Sequence, residues 1–476
     1  MTIAGRVDRK SETWSSRFGF VMAAVGSSVG LGNIWRFTYT TGENGGGAFV
    51  IAYLACLALI AFPLLAAEYA VGRRSGHSAV ESVQALARAS GKSELWGGVA
   101  WLGMLSAFFI LTFYCVVSAW FMAYIPQAVS GAFLADAGSI DASRARFDAI
   151  TSRENLPMLL VYLGLFIGAA AVVVGLGVKR GIERASTILM PVFILVLLIL
   201  LGFSVAEGAF GNTVAFLTQV RGEDFSFSML LDALGQSFFA TGVGAAVMIT
   251  YGAYLKTDAD LPRSSAIVAL SDTAVALVAA FVVFSLVFAV GSEPNAGVSL
   301  LFVNLPIGLA QMPFGTVVGG AFFLLALFAA LASSISLMEV AVSWLDERTG
   351  VTRWGAALGV GFAVFVIGAG YVYSREYIQF VDFVAASLLM PIGGFLMAIF
   401  AGWVIEKKMM QAEFGMPFFR VWSVLVRWVI PIAIGVILVL GVREKLDAAG
   451  MSAKCFPSAY DDGFTGPPGS CPADAR

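Results

Sequence analysis

Apolar residues run along this chain in blocks of about twenty, separated by short polar stretches. That is the length of a helix that crosses a bilayer. The blocks predict about eleven spans: 18–39, 47–72, 95–127, 156–176, 185–206, 229–255, 264–290, 316–346, 354–371, 377–405 and 419–442. Residues 291–314 hold Pro, Gly and Asn and no Lys or Arg, and predict an external loop that partly covers the protein. The expected fold is an all-α integral membrane protein. Two blocks are interrupted. "AVGSSVGLGNIWRF" (24–37) places three glycines, Asn33 and Arg36 inside the first span, and "FFATGVGAAVMITY" (238–251) places Gly242 and Gly244 inside the sixth. A broken helix frees backbone N–H and C=O groups that lipid cannot satisfy, so it survives only where it is buried or lines a cavity. Freed carbonyls there can hold a cation, and the N-terminus of a half-helix can hold an anion.

Composition strengthens the membrane reading. Hydrophobic residues make up 59% of the chain and charged residues 13%; the mean hydropathy is +0.86. The formal net charge of −2 gives no basic footprint for nucleic acid. Residues 1–17 are polar and basic and predict no cleavable signal peptide. Loops on the N-terminal side carry roughly eighteen Lys and Arg against roughly nine opposite, which predicts a cytoplasmic N-terminus and, with eleven spans, an external C-terminus. Cys56 and Cys115 lie in apolar spans as packed thiols; Cys455 and Cys471, in the external tail, are expected to form a disulfide. One histidine, His77, offers no Ser-His-Asp set or metal cluster, so an enzyme is not expected.

The motifs "GSSVGLGNIWRF", "ENGGGAF" (43–49), "EYAVGR" (68–73), "GQSFFATGVGAAVMITYGAY" (235–254), "FAALASSISLME" (328–339) and "DFVAASLLMPIGG" (382–394) resemble those of the neurotransmitter:sodium symporter family, the group of the bacterial leucine transporter. The resemblance runs from about Trp14 to the end of the eleventh span. It implies a five-plus-five inverted repeat with broken first and sixth helices and sodium-driven alternating access. The organisation is then a cytoplasmic segment 1–17, a first repeat 18–206, a second repeat 229–405, an eleventh span 419–442 and an external tail 443–476.

By the same resemblance, a first sodium site falls on the Ser28 carbonyl, the Asn33 side chain, the Ala240 carbonyl and either Ser271 or Asp272. A second falls on the carbonyls of Gly26, Val29 and Ala329 and the Ser333 hydroxyl. Hard oxygen donors suit Na⁺. Ala240 and Ala332 stand where the family usually has oxygen-bearing side chains, so the number of ions, one or two, stays open. A substrate carboxylate would lie against the N–H groups of Gly30 and Leu31, with the Tyr114 hydroxyl donating to it and Phe239 closing over it. Gly30, where monoamine carriers have aspartate, points to an α-amino acid. Ser27, Ile110, Gly242, Ala245, Ser333 and Leu337 would line the side-chain pocket, and the small Gly242 and Ala245 favour a bulky apolar or aromatic side chain. Arg36 and Asp382 would form the external gate. Arg9 or Lys10 would pair with Glu347 near Tyr254 as the cytoplasmic gate. Glu68 would accept hydrogen bonds from the broken sixth helix. Gly181 and Pro191, in the fifth span, either allow its cytoplasmic end to unwind or only kink it. Asp272 is expected to replace chloride, so no chloride requirement is foreseen. The expected location is a bacterial inner membrane. The alternative to transport is an amino-acid sensor that binds without accumulating. The sequence fixes no oligomeric state.

Overall fold

The computed structural model describes residues 13–135, 139–220, 225–256, 258–291, 293–294, 300–310, 313–373 and 376–448. Among these, every regular element is a helix. Nine helices are long and apolar enough to cross a membrane: Gly47–Ser75, Glu94–Val129, Arg153–Gly175, Val178–Ala206, Leu261–Ala289, Gly315–Thr349, Arg353–Val372, Tyr377–Val404 and Met416–Asp447. A tenth crossing is the pair Arg17–Ser28 and Gly32–Glu43, bent by 42° at its break. The sixth position holds two half-helices, Phe227–Thr241 and Val247–Ala253, each too short to cross alone. Taken as one further crossing, that broken pair would bring the described residues to eleven.

Local chemistry starts the spans where the sequence turns apolar. The Ser16 hydroxyl accepts from the Gly19 N–H at the start of the first span. Ser226 does the same for Met229 in the sixth, and Asp260 for Arg263 in the seventh. Each cap satisfies a donor that the first helical turn leaves free.

The interruptions fall where glycine permits them. In the sixth span the chain passes through left-handed conformations at Gly242 (φ 69), Gly244 (φ 79) and Ala246 (φ 59). The second span backs this break. The Gly244 N–H donates to Oε1 of the fully buried Glu68, at 2.8 Å. A Cβ at Gly252 would lie 2.7 Å from the Tyr69 carbonyl, so the inner half-helix packs backbone to backbone on the second span. The loop before the eighth span forms the short buried helix Asn304–Ala310 over the bundle, not a crossing. Cys56 and Cys115 are buried free thiols. Cys455, Cys471 and the tail lie outside the described residues.

Candidate substrate and ion site

The two breaks meet in the middle of the bundle. The Gly30 N–H donates to Asn33 Oδ1 at 2.9 Å, and the Leu31 N–H donates to the Tyr114 hydroxyl at 2.7 Å. The N–H of Gly30 is thus held by its own helix, and only that of Leu31 meets Tyr114. A Cβ at Gly30 would overlap the Ser333 hydroxyl and press on that of Tyr114, so any larger residue there would displace both. The Ser333 hydroxyl donates to the Ser27 carbonyl at 3.2 Å, which joins the eighth span to the break in the first.

A cavity of ≈ 30 Å³ lies between these elements, room for a water or two. Ser27, Ser28, Ile110, Tyr114, Phe239, Gly242, Ala245, Ser333 and Leu337 line it. Gly30 and Leu31, assigned from the sequence to the substrate carboxylate, and Ala240, assigned to substrate and first sodium alike, are not among its lining residues. Gly32, Val247 and Met390 line it as well and were not expected. The Phe239 ring covers Gly32, where a Cβ would come within 2.5 Å of it, and lies 6.4 Å from the Tyr114 ring.

Asn33 carries the arrangement outward to the seventh span. Its Nδ2 donates to Asp272 Oδ1 at 2.8 Å and to the Asp272 carbonyl at 3.1 Å. Tyr53 donates to Asp272 Oδ2 at 3.1 Å. Of the two seventh-span candidates, the structure brings Asp272 to Asn33 and not Ser271. Asp272 is fully buried, whereas Ser271 is only half-buried and adjoins the exposed Leu270. The helical face that packs inward holds Ser265, Ala269, Asp272 and Ala276, and this spacing could have separated the two. The Ser28 hydroxyl is buried with no hydrogen-bond partner. An unpaired buried hydroxyl at a helix break is costly unless something accepts or donates there. Gly26 and Val29 lie on the same broken segment; a Cβ at Gly26 would meet Met190 of the fifth span at 3.2 Å. Ala329 and Ala332 are buried on the eighth span.

Both ends of this site are closed. At one end, Arg36 Nε donates to Asp382 Oδ1 at 3.1 Å and Nη1 donates to Gln236 Oε1 at 2.8 Å. Tyr39 adds a hydrogen bond to Asp382 Oδ2 at 3.0 Å. The guanidinium lies 5.2 Å from the Phe239 centroid. Above this pair opens a polar vestibule of ≈ 220 Å³. On the opposite side, Trp14 donates its indole N–H to the Tyr251 carbonyl at 3.2 Å. Ser15 bonds to Glu183 through both its N–H and its hydroxyl.

The expected cytoplasmic gate differs from the observed contacts. The Tyr254 hydroxyl donates to Glu339 Oε1 at 2.6 Å, and Glu339 is ion-paired with Arg353 at 2.5 Å. Glu347 instead accepts from the Ser78 N–H at 2.6 Å and pairs with His77 at 2.7 Å. Glu339 precedes Glu347 by two helical turns, which explains why Tyr254 meets the deeper carboxylate. Arg9 and Lys10 lie outside the described residues. Gly181 lies in a π-helical turn, Val178–Glu183, and Pro191 in the helix Arg184–Glu207 that follows.

Comparison with known proteins gives a consistent result. The chain is 33% identical to YhdH, an uncharacterized sodium-dependent transporter of Bacillus subtilis, over 90% of this chain and 97% of the relative. It is 24% identical to sodium-dependent nutrient amino acid transporter 1 of Drosophila yakuba, over 81% and 69%. The solved structure of MhsT in complex with L-phenylalanine aligns with a TM-score of 0.84 and 35% identity, covering 90% of this chain and 99% of that one. The model of the sodium:neurotransmitter symporter family matches residues 11–135 and 145–461. The chain therefore belongs to the sodium:neurotransmitter symporter family, and is a sodium-dependent membrane transporter and not an enzyme.

Proposed function

We propose that the chain is a sodium-coupled symporter of α-amino acids with bulky apolar or aromatic side chains, working by alternating access. The observation that carries this reading is the contact of the Leu31 N–H with the Tyr114 hydroxyl at the break in the first span. A half-helix N-terminus beside a phenolic hydroxyl is a receptor for a carboxylate. Gly30 leaves no acidic side chain there to repel one. Gly242, Ala245 and Val247 keep the opposite wall small and apolar. The likeness to MhsT with L-phenylalanine bound supports the same substrate class.

One or two Na⁺ ions act in the cycle. The first takes the Ser28 and Ala240 carbonyls, the Asn33 oxygen and the Asp272 carboxylate; the second takes the carbonyls of Gly26, Val29 and Ala329 and the Ser333 hydroxyl. Asp272 supplies a fixed negative charge beside the first ion, so transport needs no chloride. The N-terminus is cytoplasmic and the protein sits in a bacterial inner membrane.

Purified protein in liposomes tests this. An inward sodium gradient should accumulate labelled L-phenylalanine several-fold above equilibrium. Sodium-enhanced binding without accumulation would make the protein a sensor. Accumulation driven equally by a potassium gradient would remove sodium coupling.

A further inference from the structure

Arg427 has no place in the transport site. It lies in the eleventh span and is only half-buried, on a face with the exposed apolar residues Val424 and Trp428. Its Nε donates to the Gly402 carbonyl of the tenth span at 2.6 Å. Its guanidinium lies 5.7 Å from the Trp403 centroid, and the Trp403 indole donates back to the Arg427 carbonyl at 3.2 Å. Trp428 meets Trp403 edge-on at 4.8 Å. Both helices are π-helical at this point, over Phe400–Val404 and Leu425–Val429. Such bulges leave carbonyls free of their α-helical donors. A Cβ at Gly402 would sit 3.0 Å from Arg427 Cγ, so glycine is what lets the arginine cross.

Among the described residues, no carboxylate pairs with Arg427, and its two terminal nitrogens have no acceptor. Arg420, two turns earlier on the same face, is exposed and has no acidic partner among the described residues. The tenth span ends at Val404, and Lys407 and Lys408 follow. Arg427 therefore lies at the membrane–water boundary, the level at which tryptophan is enriched. Ten spans precede this loop, so the boundary is on the N-terminal side.

We propose that this cleft binds the phosphate of an anionic phospholipid from the leaflet on the N-terminal side. Arginine offers paired donors that match two phosphate oxygens. Trp403 and Trp428 flank the glycerol, and the apolar face of the eleventh span takes an acyl chain. The neighbouring basic residues add long-range attraction to an anionic surface.

The test is thermal unfolding of purified protein in a neutral detergent, titrated with phosphatidylglycerol, phosphatidylcholine or inorganic phosphate. Only phosphatidylglycerol should raise the melting temperature. Arg427→Gln should weaken that response by about tenfold or more, the loss of a charge-assisted hydrogen bond. Arg427→Lys should recover part of it, and Arg420→Gln should weaken it less. An equal response to phosphatidylcholine or to inorganic phosphate overturns the proposal. So does an unchanged phosphatidylglycerol response in Arg427→Gln. Should that variant not fold, a phosphatidylglycerol response in Arg427→Lys equal to that of the wild type decides against the paired-donor contact.

Discussion

The proposed independence from chloride rests on one buried side chain, Asp272. Its carboxylate accepts from Asn33 and Tyr53 and has no cation of the chain beside it in those contacts. Two unit charges about 4 Å apart interact by around 4 kcal/mol at an effective dielectric of 20, so a sodium ion here needs a nearby negative charge. Wild-type uptake should be the same in chloride and in gluconate. Asp272→Ser should make uptake depend on chloride, and loss of wild-type uptake in gluconate would refute the assignment. Ala246 gives a second residue-scale prediction. Its φ of 59 places a Cβ-bearing residue in the left-handed region. That conformation costs roughly 1–2 kcal/mol. Ala246→Gly removes the strain but adds freedom to the unfolded chain, so the net gain should be about 0.5–1 kcal/mol, read as a raised melting temperature.

At the scale of elements, glycine decides where helices touch. A Cβ at Gly252 would press on Tyr69 backbone atoms, the nearest at 2.7 Å, and one at Gly103 would meet Ala246 N at 2.8 Å and the Gly244 carbonyl at 3.0 Å. These atoms cannot rotate aside as a side chain would. Gly252→Ala should therefore push the inner half of the sixth span off the second and cost about 1–3 kcal/mol in unfolding experiments. The breaks themselves are legible in the chain, because in both the first and the sixth block glycines cluster, and in the first they stand beside Asn33 and Arg36. Their supporting contacts are not. Glu339 and Arg353, or His77 and Glu347, carry no local signal of their pairing, since it depends on how loops and spans fold together. The sequence pairs Glu347 with Arg9 or Lys10 near Tyr254, yet Glu347 meets Ser78 and His77, and the carboxylate that Tyr254 meets is Glu339, two helical turns away. Met390 was missed for a related reason: it stands in an apolar run of the tenth span, where nothing local marks which residues face the cavity.

Across the whole molecule, the closed state is held by different chemistry at its two ends. One end, external in the proposed orientation, uses a buried ion pair, Arg36–Asp382, extended by Gln236 and Tyr39. The other end uses Trp14 against Tyr251 and the Glu183 carboxylate on Ser15. Alternating access requires each closure to release while the other holds, so the free energies of the two must be similar. Removing one partner of a buried pair typically costs about 3–5 kcal/mol, because the remaining charge is stranded. Asp382→Asn keeps the size and loses the charge. It should shift the population towards an outward-open state in which Arg36 reaches water from the vestibule. Glu183→Gln loses a charge-assisted contact and should shift the population the other way, releasing the segment at Ser15. A cysteine placed at Ile110, beside the cavity, reads both shifts. Its alkylation by an impermeant reagent should accelerate from the outside in Asp382→Asn and from the inside in Glu183→Gln. Sodium should restrain inside labelling in the second variant if the ions favour closure at that end. Equal labelling from both sides in either variant would mean that the two closures are not opposed, and that the cavity opens by a general loosening of the bundle.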